Sequence, residues 1–263
     1  MHLEIPLYQV DAFASKVFAG NPAAVCPLEE WLSEDLMQSI AQENNLSETA
    51  FFVREGPGYS LRWFTPVAEV DLCGHATLAS AYVIFHYINT STNRVVFNSK
   101  SGKLIVEKKN DLLSMDFPSL PPEPGEFPKD LVEGLDAVPE EVWRSNDYLA
   151  LYSSERVVRS ISPDFDKLKS LGLRGIIITS KGNKVDFVSR FFAPRYGINE
   201  DPVTGSAHSV LIPFWSKRLN KKKLHALQVS QRGGELFCED AGDRTIIAGR
   251  AVEFMKGTID IEI

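Results

Sequence analysis

Apolar and polar residues alternate loosely over residues 4–13, the period of a half-buried β-strand. Gly20-Asn21-Pro22 is a turn signal, and Ala23-Ala24-Val25-Cys26 reads as a short strand after it. Ser33 is placed to cap a helix reaching about Asn44, with Leu32, Leu36 and Ile40 on one face. Residues 49–54 and 61–64 read as strands joined by Gly56-Pro57-Gly58. Two later stretches differ in kind. Residues 75–86 and 207–219 have helical length but are apolar nearly all round, so each predicts a helix enclosed on every side. Pro213 predicts a kink or break in the second.

The two enclosed helices belong to a repeat. Arg62-Trp63-Phe64-Thr65-Pro66 precedes Cys73-Gly74-His75-Ala76-Thr77, and Arg190-Phe191-Phe192-Ala193-Pro194 precedes Thr204-Gly205-Ser206-Ala207-His208. Downstream, residues 99–104 resemble residues 230–236. Each half runs helix, strand, strand, loop, buried helix, strand, Gly turn, strand. The expected fold is α+β: two similar lobes, each a mixed, curved, barrel-like sheet wrapped around a central buried helix. The Pro-rich residues 118–125 read as a linker between an N-terminal lobe, 1–117, and a C-terminal lobe, 126–257, with 258–263 available to return to the first.

Composition narrows the partners. The chain has 263 residues and a net charge of −7, which disfavours nucleic acid and anionic membranes, since both select a positive field. The first residues have no basic and apolar leader pattern, and no apolar run approaches the ~18 residues of a membrane span. Three cysteines, Cys26, Cys73 and Cys238, lack metal-ligand spacing and suit a reduced, cytoplasmic setting. No paired-histidine metal motif, dinucleotide fingerprint or Walker sequence occurs, so neither a metal nor a cofactor is expected. The basic tract 217–223 reads as a solvated helix end.

Candidate chemistry clusters at the helix starts. Gly74 and Gly205 fit either tight packing or close approach of a ligand to unpaired N–H groups, and two such starts facing each other would cradle a carboxylate. Glu48 opens an apolar strand, where a desolvated carboxylate would shuttle a proton near neutral pH; a surface glutamate is the alternative. Its counterpart in the second half falls near Gly175. His75 fits a ligand contact or a structural role, and His208 a core position. Cys73 fits a nucleophile with a lowered pKa or an inert buried thiol. Arg62 and Arg190 fit salt bridges or anion binding.

The set Asp11-Ala12-Phe13, Gly20-Asn21-Pro22-Ala23-Ala24-Val25, Asn45-Leu46-Ser47-Glu48-Thr49-Ala50, Arg62 to Pro66, Cys73 to Thr77 and Asp201-Pro202-Val203-Thr204-Gly205-Ser206-Ala207 resembles the phenazine-biosynthesis isomerase, or PhzF-like, family over essentially the whole chain. The resemblance implies the diaminopimelate epimerase fold, with the site in the cleft between lobes. It makes Glu48 the catalytic acid and base. It implies substrate binding by Gly74, His75, Asp201, Gly205 and Ser206, with Cys73 and Thr204 as accessory candidates. The implied reaction is proton removal and return on a small carboxylate, without a cofactor, in a protein of a kind that often forms homodimers. Epimerases of this fold carry a thiol at both helix starts. Here the second is Thr204, a hydroxyl with no evident activating base. That departure favours a one-base isomerase over an amino-acid epimerase or racemase, and a binding protein without turnover is the remaining alternative.

Overall fold

A computed structural model describes residues 2–262. The chain begins with β1 (His2–Ala12), β2 (Asn21–Leu28), α1 (Glu34–Asn44), β3 (Glu48–Glu55), β4 (Gly58–Phe64) and β5 (Glu69–Val70). It continues through α2 (Gly74–Val83), β6 (Arg94–Ser99), β7 (Gly102–Lys109), β8 (Leu112–Pro118) and β9 (Glu123–Pro124). Then come α3 (Lys129–Leu135), β10 (Glu141–Arg144), β11 (Tyr148–Leu151), α4 (Glu155–Ser160), α5 (Phe165–Leu168), β12 (Ile176–Lys181) and β13 (Phe187–Ala193). Last are β14 (Ile198–Asp201), α6 (Gly205–Leu219), β15 (Lys223–Gln228), β16 (Gly234–Asp240), β17 (Arg244–Gly249) and β18 (Ala251–Glu262). Two compact units result, one of Met1–Asp116 with Ala248–Ile263 and one of Phe117–Ile247.

In the first unit β18 runs antiparallel to β1, and β1 to β2. β2 and β3 are parallel, β3 and β4 antiparallel, and β4 and β6 parallel. The strands β1, β2, β3, β7 and β18 all touch α2. Its Ala76, Leu78, Ala79, Ala81 and Val83 are wholly buried, which is the use of a helix apolar on all sides. A single π-helical turn, Ile84–Ile88, ends it. Helix α1 packs outside the sheet. Ser33 caps it by accepting from the Leu36 N–H, and Met37, Ile40 and Ala41 carry its buried face, while Leu32 and Leu36 are only partly covered.

The second unit repeats the layout. β11 and β12 are parallel, β12 and β13 antiparallel, and β13 and β15 parallel. α6 packs on β15 and β16. Trp215 stacks on Phe187 at 5.8 Å and donates its indole N–H to Thr179 Oγ1. The paired arginines act alike. Arg62 grips both oxygens of Glu69 and lies over Phe64, and Arg190 grips both oxygens of Glu200 and lies over Phe192. Both are structural salt bridges, so neither is left as an anion site.

Two expectations change in detail. Asn21 and Pro22 are not a turn before β2 but its first residues, paired with Ala12 and Asp11. Pro213 does not break α6, which is continuous from Gly205 to Leu219. A proline inside a helix orphans the carbonyl four residues back. Here that carbonyl, Ser209 O, accepts from Leu120 N–H at 2.9 Å, so the Pro-rich stretch supplies the bond that Pro213 cannot.

His208 is fully buried on α6, its Nδ1 donating to Thr204 O at 2.8 Å. Burial, only partly offset by that bond, pushes its pKa down to about 4. The unfolded chain takes up a proton near 6.5 and the native state does not, so stability falls as the pH drops from 6.5 to about 4 and is flat below. The loss should be ~3 kcal/mol. Urea unfolding of wild type and His208→Gln at both ends of that window checks it. An equal loss in the two proteins would remove His208 as the cause.

Candidate active site

Glu48 is the first residue of β3, and its backbone pairs beside Ala23 of β2. The strand it opens is apolar and buried, so its side chain is drawn in with it and is only 12% exposed. The surface alternative is thereby excluded. Facing it is His75, the second residue of α2 and 5% exposed, whose Nε2 lies 3.1 Å from Glu48 Oε2. Neither atom has a well-aligned hydrogen bond. A close pair with spare hydrogen-bonding capacity, at the start of a buried helix, suits a ligand.

The other ring nitrogen is held from behind. Asn21 Nδ2 is 3.2 Å from His75 Nδ1, and Asn21 Oδ1 accepts from Ser47 Oγ at 3.4 Å. An amide nitrogen can only donate, so in the neutral ring Nδ1 accepts and Nε2 carries the proton toward Glu48; in the charged ring Nδ1 is protonated too and faces Cys73 Sγ at 3.5 Å. Burial opposes a charged imidazole, but the Cys73 sulfur and the Glu48 carboxylate outweigh it and push the His75 pKa well above its usual value. Glu48→Gln removes the carboxylate charge and should lower the His75 pKa. NMR titration of labelled histidine checks it, and an unmoved His75 curve would break the pairing.

Cys73 precedes α2 with its Sγ 3.5 Å from His75 Nδ1. Burial first, and the Glu48 charge second, push its pKa up to about 11, despite opposing help from His75. The thiol stays protonated at neutral pH, which is the inert reading rather than the lowered-pKa nucleophile. Glu48, Cys73 and His75 bring three potential metal-ligand atoms within 4.8 Å of one another. Their surroundings suit a cation poorly. A metal-bound imidazole needs its lone pair on the metal and an acceptor behind the other nitrogen, whereas Asn21 puts a donor there.

In the second unit Thr204 occupies the place of Cys73, immediately before α6. Its Oγ1 donates to Asp201 Oδ2 at 2.5 Å and accepts from Gln228 Nε2 at 3.2 Å. Its backbone N–H donates to Gln228 Oε1. The expectation of a hydroxyl without a neighbouring base is corrected, since Asp201 is that neighbour. A carboxylate is nevertheless far too weak a base to ionise an alcohol, and the hydroxyl remains a donor. Ser206, second in α6, accepts from Arg174 Nη1 at 2.8 Å. Within the first unit the structure gathers Glu48, Cys73, Gly74 and His75, and within the second Asp201, Thr204, Gly205 and Ser206. Sequence reasoning gave no role to Asn21, Ser47, Asp147, Arg174 or Gln228. Asn21 and Ser47 lay in quoted motifs, but nothing local marks the others.

A family model described as phenazine biosynthesis-like protein matches residues 10–257. An uncharacterised isomerase of Pseudomonas aeruginosa is 48% identical over 98% of this chain and 100% of that protein. A crystal structure of a PhzF family phenazine biosynthesis protein from Enterococcus faecalis superposes with a TM-score of 0.96 at 51% identity, covering 98% of this chain and 99% of the other. A predicted epimerase from Pseudomonas aeruginosa shares the fold, with a TM-score of 0.73 at 19% identity over 97% and 99% of the two chains. The fold is accordingly α+β of the diaminopimelate epimerase-like kind. With its curated relatives named as isomerases, this chain belongs to the phenazine biosynthesis-like protein family.

Proposed function

We propose that the protein is a cofactor-independent isomerase that moves a proton on a small carboxylate, with Glu48 as its single base. The observation that carries this reading is the buried Glu48 carboxylate held against His75 at 3.1 Å. Glu48 takes a proton from one carbon, and the C–H electron pair delocalises into the conjugated carboxylate. The same oxygen returns the proton to another carbon, so no proton is gained or lost overall. The His75 N–H steadies the carboxylate while it is ionised. One base delivers on the face from which it removes, which predicts retention of face and partial internal return of the label. The same reading assigns substrate contacts to Gly74 and His75 in the first unit and to Asp201, Gly205 and Ser206 in the second.

A two-base epimerase is disfavoured by Cys73, a protonated thiol, and by Thr204, whose hydroxyl is already engaged. The test is proton NMR in D2O with a panel of dihydro-hydroxyanthranilate, diaminopimelate and simple amino acids. Deuterium at a carbon of the rearranged product supports the isomerase. Label confined to an inverted α-carbon supports an epimerase. Tight binding of a compound without exchange supports a binding protein.

A further inference from the structure

Asp147 is fully buried in the turn before β11, and a carboxylate so placed has to be paired. Its partner is Arg174, two residues before β12, whose Nε and Nη2 reach Oδ1 and Oδ2 at 2.9 and 2.5 Å. The guanidinium also sits over the Phe191 ring. A planar fork held on two edges has no freedom left, so the direction of its third nitrogen is dictated by a residue solvent never touches. That nitrogen, Nη1, donates to Ser206 Oγ. A serine hydroxyl has one proton and lone pairs to accept with. With Arg174 on the acceptor side, Ser206 keeps its proton for another group.

The strand registers show where this support sits. Arg62 pairs with Phe51 and Arg190 with Ile178, so aligning the two arginines places Glu48 on Gly175 and Ser47 on Arg174. In the first unit the Ser47–Asn21 pair backs His75, second in α2. In the second unit the Arg174–Asp147 pair backs Ser206, second in α6. The halves support the same helix position with different equipment: a neutral serine–amide pair in one, a fixed cation in the other.

We propose that Arg174, locked by Asp147, is a positioning residue that makes Ser206 the hydrogen-bond donor to the carboxylate of the substrate. This rests on the reading of Ser206 as a substrate contact. Arg174→Ala would strand a buried charge, so the test uses Asp147→Asn/Arg174→Gln, which removes both charges together, and Arg174→Lys, which keeps charge without the fork. Benzoate and its neutral analogue benzamide are titrated into the full chain while the Gly205 and Ser206 amide resonances are followed by NMR. Wild type should prefer benzoate about tenfold. In the double variant, in Arg174→Lys and in Ser206→Ala the preference should fall toward one, with benzamide unchanged; general loosening of the fold would weaken both probes alike. If benzoate leaves both resonances unmoved in wild type, the reading of Ser206 fails and the proposal with it. If wild type shows the preference and the variants keep it, only the role of Arg174 is overturned.

Discussion

Glu48→Gln should lower the rate of deuterium entry into substrate carbon by about 10²- to 10⁴-fold while leaving the fold intact. The two side chains have the same shape, and the backbone of residue 48 stays paired beside Ala23, so nothing in β3 is lost. What is lost is the carboxylate beside His75 that the one-base reading uses to accept and return a proton. Cys73→Ser gives the contrast. The thiol, with a pKa pushed up to about 11, already carries its proton, and its replacement should leave most of the exchange rate. The two variants are compared by proton NMR in D2O on whichever panel compound wild type exchanges. Comparable loss in both would move the base to Cys73, and full activity in Glu48→Gln would overturn the one-base reading.

Much of this was legible because the pattern is local. The enclosed helices α2 and α6 show as stretches without a polar face, and the duplication shows as motifs repeated in order. Glu48 stands out as a charge opening an apolar strand. What stayed hidden depends on pairs distant in sequence. Asp147 and Arg174 are joined only because β11 and β12 lie parallel, and Gln228 reaches Thr204 only from the end of β15. Arg62 and Arg190 had two readings until Glu69 and Glu200 were seen to hold them. The break allowed for at Pro213 did not foresee that the Leu120 N–H, 93 residues earlier in the chain, would bond the carbonyl that Pro213 leaves without its helical donor.

Gly20→Ala should destabilise the first unit by more than ~4 kcal/mol, the range reserved for a backbone that cannot relax. Gly20 has a φ of +68°, and a Cβ there would lie 2.1 Å from Ala12 O and 2.8 Å from Ala14 Cβ. Ala12 and Ala14 are themselves buried, so neither can retreat without moving β1. Gly56 is the control. It has a similar φ of +56° but nothing within 4 Å of the added carbon, so Gly56→Ala pays only the left-handed backbone cost of ~1–2 kcal/mol. The difference between the two substitutions isolates the collision from the dihedral. It also reaches the chemistry, because Gly20 immediately precedes Asn21, and a displaced start to β2 carries the amide away from His75 Nδ1. Urea unfolding of both variants measures the gap. If Gly20→Ala is folded under native conditions, its His75 titration should depart from that of wild type while that of Gly56→Ala does not. Equal stability of the two variants would mean that the β1–β2 junction yields, and that the tie from Asn21 to His75 is too soft to set the proton on Nε2.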